Sequence, residues 1–159
     1  KDIAYVTDCT IDTDLELLIP DSYISVSAEK IRLYKELDAI ENDQDVDKFL
    51  EELSDRFGPV PVQVLELTKI VSLRKIAISL GIEKIVIKND LMVAYFVSNT
   101  MSGYYKSKTF SAVMNYINKN GRRFSVKGSG EKFYITVSKI ASVNNALKIL
   151  SEMKCEVLK

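Results

Sequence analysis

At 159 residues, 47% of them hydrophobic, the chain is long enough for one compact domain or two small subdomains and too apolar to stay disordered. No apolar run approaches the roughly 20 residues that a membrane helix needs, and the absence of histidine excludes Ser-His-Asp and Cys-His catalysis within this chain. The net charge of zero hides an asymmetry: residues 1–57 hold 16 acidic and 6 basic side chains, residues 58–159 hold 6 and 16, and two electrostatically distinct parts are expected.

Cys9 and Cys155 stand far apart with no Cys-x-x-Cys spacing, so they are expected to be plain thiols. Lys1 to Thr10 lacks the apolar run of a signal peptide, and a cytoplasmic location is expected.

In chain order, Asp14-Leu-Glu-Leu-Leu-Ile19 predicts a strand, stopped by Pro20. A helix is expected from about Ala28 to Ile40, with Ser27 as N-cap and Ile31, Tyr34, Leu37 and Ile40 on its apolar face. The polar stretch Glu41 to Asp45 follows, its last residue placed to cap a second helix. There Val46, Phe49, Leu50, Leu53 and Phe57 form one stripe, so Lys48, Glu51, Glu52 and Asp55 point the other way. Gly58 predicts a left-handed C-terminal cap, and Pro59 prevents continuation.

Pro61 suits the first turn of a third helix reaching Leu80, with Gly81 as its cap. Its apolar residues spread around most of the circumference, which predicts a central, buried helix joining the acidic and basic parts. Strands are then expected over Ile82 to Lys88 and Leu91 to Val97, flanking a tight turn at Asn89-Asp90. A helix from Thr109 to Asn120 comes next, followed by strands Arg122 to Lys127 and Lys132 to Val137 around Gly128-Ser129-Gly130. A last helix carries Val143, Ala146, Leu147, Leu150 and Met153. The fold class is α+β: a single domain over residues 1–159, its acidic subregion 14–81 holding a strand and three helices. The basic subregion 82–159 repeats strand-strand-helix twice, predicting an antiparallel sheet covered on one side by two helices.

Two stretches imitate known sites and fail on spacing. Gly128-Ser129-Gly130 before Lys132 lies between strands and lacks the spacing of a phosphate-binding loop. Asp43, Asp45 and Asp47 lack the glycine and closing glutamate of a calcium loop. Neither a catalytic residue nor a metal or cofactor site is expected in this chain.

Two surfaces remain. Arg122, Arg123, Lys127 and Lys132 surround Phe124, Phe133 and Tyr134, a composition compatible with nucleic-acid contact, although the phenylalanines alternate as core residues do. Glu52 and Asp55, neighbours three residues apart on the outer face of the second helix beside Glu51, suit docking onto a basic partner.

Four segments then carry a resemblance. Ile19-Pro-Asp-Ser-Tyr-Ile24, Ile31-Arg-Leu-Tyr-Lys35, Glu52-Leu-Ser-Asp-Arg-Phe-Gly-Pro59 and Leu80-Gly-Ile82, in this order and spacing, resemble the C-terminal domain of the transcription-repair coupling factors. The likeness is specific over residues 14–86, with Lys30 and Ser54 departing from the family's usual residues. It implies a large parent, an ATP- and magnesium-dependent translocase on double-stranded DNA that displaces stalled RNA polymerase and recruits excision repair through UvrA. It also implies that this domain folds onto the parent's UvrB-like module, masking the UvrA-binding surface, with Glu52 and Asp55 in the docking helix.

Overall fold

The computed structural model describes residues 5–129 and 132–159. The elements run β1 (Thr10–Thr13), α1 (Ser27–Asp38), α2 (Asp43–Phe57), α3 (Val62–Leu80), β2 (Ile82–Lys88) and β3 (Leu91–Phe96). They continue with a 3-10 turn (Gly103–Lys106), α4 (Lys108–Lys119), β4 (Phe124–Ser129), β5 (Lys132–Ser138) and α5 (Val143–Val157). The chain divides into two compact units, one formed by Glu16–Ser72 and the other by Lys1–Leu15 with Leu73–Lys159. The first carries 13 acidic and 6 basic residues, a net −7, and the second 9 and 16, a net +7. Among the described residues no helix is long and apolar enough to cross a membrane.

The helical unit is built around Ile19, Ile24, Leu33, Leu37, Val46, Phe49, Leu53, Val64 and Val71. In α1 the buried residues are Leu33 and Leu37, one turn apart, while Ile31 stays 54% exposed because it lies about 200° from Leu33 around the helix. Ser27 is the first helical residue and not the cap; that place falls to Val26, with no side-chain bond. The second helix buries Val46, Phe49 and Leu53 as its periodicity predicts. It starts earlier than expected: Asn42, not Asp45, is the cap, its Oδ1 accepting the Asp45 N–H at 2.9 Å. Gly58 has the positive φ expected of it (88°), but its ψ of −169° is extended and not left-handed helical. The following Pro59 excludes helical ψ at the residue before it.

The predicted strand over Asp14–Ile19 is absent. Thr10–Thr13 takes the sheet edge instead, pairing in parallel with β2 (Ile11 opposite Ile85), and Asp12 meets Lys88 at 3.2 Å. Asp14 closes the strand, its N–H donating to the Ile87 carbonyl and its carboxylate accepting the Asn89 N–H. Among the described residues the sheet therefore has five strands in the order β1-β2-β3-β5-β4 and is mixed; every pair but β1–β2 is antiparallel, as expected. Asn89 and Asp90, both at positive φ (53° and 60°), make the predicted tight turn. In the second hairpin Ser129 pairs with Lys132, while Gly130 of the predicted loop lies outside the described residues.

One sheet face is sealed: Ile85, Ile87, Met92, Ala94, Phe96, Ile135, Val137 and Phe124 are buried. Ring contacts of Phe110 with Phe96 and Phe133, and of Tyr116 with Phe124, bring α4 onto this face. Val143, Ala146, Leu150 and Met153 of α5 are buried in the same unit. The third helix is less uniformly buried than its composition predicts, since Val62 and Leu65 in its first turn are exposed.

Candidate functional site

The α2 face opposite the core is where the candidate docking residues sit. Burying Val46, Phe49 and Leu53 fixes the rotation of the helix, and Glu51, Glu52 and Asp55 consequently emerge in solvent. Among the described residues none of these three carboxylates takes part in a hydrogen bond or ion pair.

Their surroundings are organised by arginines. Arg56, next in the chain after Asp55, reaches across to Glu29 of α1 at 2.8 Å, and its guanidinium lies 4.8 Å from the centre of the Phe57 ring. Arg32 bonds the same Glu29 carboxylate and reaches Glu36 at 3.6 Å. The hydrogen bond from Arg32, then that from Arg56, holds the Glu29 carboxyl below its ordinary pKa. Arg32 is raised in turn, chiefly by Glu29, with smaller contributions from Glu36 and Glu52. Arg32 and Arg56 are thus engaged with α1, and Lys48, one turn before Glu51 and Glu52 on α2, pairs with neither of them among the described residues, so Glu52 and Asp55 remain available to outside cations. Arg32 and Arg56 stand inside the quoted motifs, yet only the fold shows that they converge on Glu29.

Two tyrosines fasten this helix pair. The Tyr23 hydroxyl lies 2.9 Å from the Gly58 carbonyl and 3.2 Å from that of Leu53, and the Ile19 N–H donates to the Tyr34 hydroxyl at 2.7 Å. Tyr23 and Phe57 also meet ring to ring at 5.9 Å. The segment 19–24 therefore acts as a clamp on the end of α2.

The basic hairpin is only partly assembled as its composition predicts. Phe124 is buried, and Phe133 joins the aromatic cluster of the sealed sheet face with Phe96, Tyr105 and Phe110. Lys127 and Tyr134 are register partners on the opposite face, with Lys132 two residues from Tyr134 on the same side. Arg122 and Arg123 lie in the turn before β4, so Arg123 is about 13 Å along the strand from Lys127. The structure thus separates the arginines from the lysines. Tyr95, which joins Tyr134 at a centroid distance of 5.2 Å, was not singled out by sequence; only strand register makes them neighbours.

For a nucleotide phosphate the fit is poor, because Gly128 and Ser129 belong to a strand pairing with the next strand, with no helix N-terminus behind them. Among the described residues no cluster of three or more acidic or cysteine side chains is placed to hold a metal ion. Cys9 is buried and Cys155 exposed, both as free thiols.

An α+β domain emerges: a helical unit with an acidic helix bared to solvent, and a mixed sheet with helices against one face. The TRCF domain family matches residues 13–107, more than half of the chain, and the chain belongs to that family. It is 30% identical over 147 residues to a transcription-repair-coupling factor of Rickettsia prowazekii, covering 90% of this chain and 12% of that protein. A transcription-repair-coupling factor of Staphylococcus aureus (strain USA300) is 27% identical over 94% of this chain, again along 12% of its own length. Among solved structures, the C-terminal domain of a transcription-repair coupling factor superposes with a TM-score of 0.69 over 95% of both chains at 20% identity, which establishes the fold.

Proposed function

We propose that this chain is the autoinhibitory docking domain of a transcription-repair coupling factor acting in DNA repair, with Glu52 and Asp55, flanked by Glu51, as its electrostatic anchors. The observation that carries the reading is the exposure of these carboxylates on a rigidly fixed helix, unpaired while neighbouring Arg32 and Arg56 are engaged by Glu29. A net charge of −7 on the helical unit adds a field that favours a basic partner surface. The proposed partner is the UvrB-like module of the same parent, whose UvrA-binding surface the docked domain masks. Exposed ion pairs suit a latch because each is weak and screened by salt. Together, about 3 kcal/mol of such contacts would hold the open form below about 1%. ATP, magnesium, double-stranded DNA and RNA polymerase are in this reading ligands of the rest of the parent, a cytoplasmic translocase, and the domain itself performs no catalysis.

The test is charge reversal, Glu52→Lys with Asp55→Lys, in the full-length protein. The latch reading expects UvrA binding and resting ATPase activity to rise in the variant. Unchanged values of both would overturn it.

A further inference from the structure

The sheet face that carries no buried core is organised in a way that the docking function does not use. Register places Lys84 of β2 opposite Tyr95 of β3, Tyr95 opposite Tyr134 of β5, and Tyr134 opposite Lys127 of β4. The four side chains form one row straight across four adjacent strands, two tyrosines in the middle and a lysine at each end, spanning about 14 Å. The phenol rings are 5.2 Å apart, and the Lys132 ammonium stands 5.8 Å from the centre of the Tyr95 ring. Beside this row lie Val86, Val93, Thr136 and Ser125, a weakly polar strip.

Positive charge predominates along the row. The acids near it are engaged: Asp12 is paired with Lys88, the Asp14 carboxylate accepts the Asn89 N–H, and Glu83, at the irregularity beside Lys84, accepts the Ser98 N–H. Lys84, Lys127 and Lys132 are exposed and belong to no ion pair among the described residues. A tyrosine pair alone would be ordinary cross-strand packing. Here the rings are half-buried, and among the described residues neither phenol hydroxyl has a hydrogen-bond partner and the lysines at both ends of the row are unpaired.

We infer that this face is a platform for a short single strand of DNA, with two successive bases stacked on Tyr95 and Tyr134 and the flanking phosphates held by Lys84, Lys127 and Lys132. Exposed rings on a sheet stack unpaired bases whatever their sequence, and lysines along the track neutralise the backbone. Duplex DNA offers no free base faces to stack on the rings. The choice of DNA over RNA rests on the repair setting proposed above.

The 159-residue chain is tested by itself, as a C-terminal domain of the same fold has been crystallised. Binding of a fluorescein-labelled dT12 strand is followed by anisotropy at low and moderate salt, with the corresponding duplex and an oligo-U strand as comparisons. The expected result is salt-sensitive binding of the dT strand in preference to the duplex. Tyr95→Thr with Tyr134→Thr should weaken it at least about tenfold. Lys84→Gln, Lys127→Gln and Lys132→Gln together should lower the log–log salt slope by about 2. Tyr95→Phe with Tyr134→Phe keeps the rings and the fold and should bind within about twofold of the parent. Absence of binding at low salt, equal affinity for duplex, or weakening by the phenylalanine pair as great as by the threonine pair would overturn the platform. Tighter binding of oligo-U would overturn the assignment to DNA. No UvrB-like module is present in this assay, so its outcome is separate from that of the latch experiment.

Discussion

The Tyr23 hydroxyl sits 2.9 Å from the Gly58 carbonyl and 3.2 Å from that of Leu53, sharing its proton between two acceptors at the end of α2. It ties two of the family's motif segments together, the one ending at Ile24 and the one ending at Pro59. The helix end that bears Asp55 is therefore held by a group 35 residues away in the chain. Tyr23→Phe removes the hydroxyl and leaves the part-buried Gly58 carbonyl short of a donor, and should cost about 1–2 kcal/mol in urea unfolding. Amide exchange should quicken in the last turn of α2 before it does in α1.

Capping at the other end of α2 distinguishes two neighbouring residues. Asn42 accepts the Asp45 N–H at 2.9 Å, and its amide donates to the Asp45 carboxylate at 3.0 Å. Asn42→Ala should lower stability by about 1 kcal/mol. Asp45→Ala removes a charge near the helix N-terminus and the weaker half of this pair, and should cost less than half as much. Thermal unfolding of the two variants side by side checks the order.

These residues also show what the sequence discloses and what it hides. The stripe Val46, Phe49, Leu53 and the turn at Asn89-Asp90 were legible because each is a local signal, one a helical period and the other a pair of residues tolerant of positive φ. Leu15 and Leu17 carry a similar alternation but form no strand, because the edge of β2 is occupied by Thr10–Thr13, a competition no local pattern reveals. The exposure of Glu52 and Asp55 followed from periodicity; the removal of Arg32 and Arg56 by Glu29 did not, since it depends on where α1 crosses α2. The lysine–tyrosine row was hidden for the same reason: its members come from four strands spread over residues 84–134.

Gly81 is held by a tyrosine. Its φ is +84°, and a Cβ built there would lie 2.1 Å from Cε1 of Tyr104, whose hydroxyl donates to the Leu80 carbonyl at 2.6 Å. Gly81→Ala should therefore destabilise by about 2–4 kcal/mol, from the left-handed backbone and the overpacked ring together. Tyr104→Leu in the same chain frees the space and should recover part of that loss. A double-mutant cycle on denaturant midpoints would read a coupling of about 1 kcal/mol or more, and strict additivity would contradict the contact.

Alkaline pH should unfold the sheet unit in a defined window. Burial, with a smaller push from Asp8, raises the Cys9 thiol from 9.0 to about 12, and burial raises Tyr104 in the same direction. Each folded pKa lies above its unfolded value, so the contribution is fully present below the unfolded pKa and is lost as pH rises. Stability should stay level up to about pH 9 and then fall toward pH 12, at about 1.4 kcal/mol per pH unit for each group that ionises only on unfolding. Thiol chemistry supplies an independent check at pH 8. The exposed Cys155 should react with a disulfide reagent at once, while the buried Cys9 reacts only as fast as the unit opens. Equal rates for both thiols in the folded protein would show that the segment leading into β1 does not seal Cys9, and the alkaline transition would then lose its principal cause.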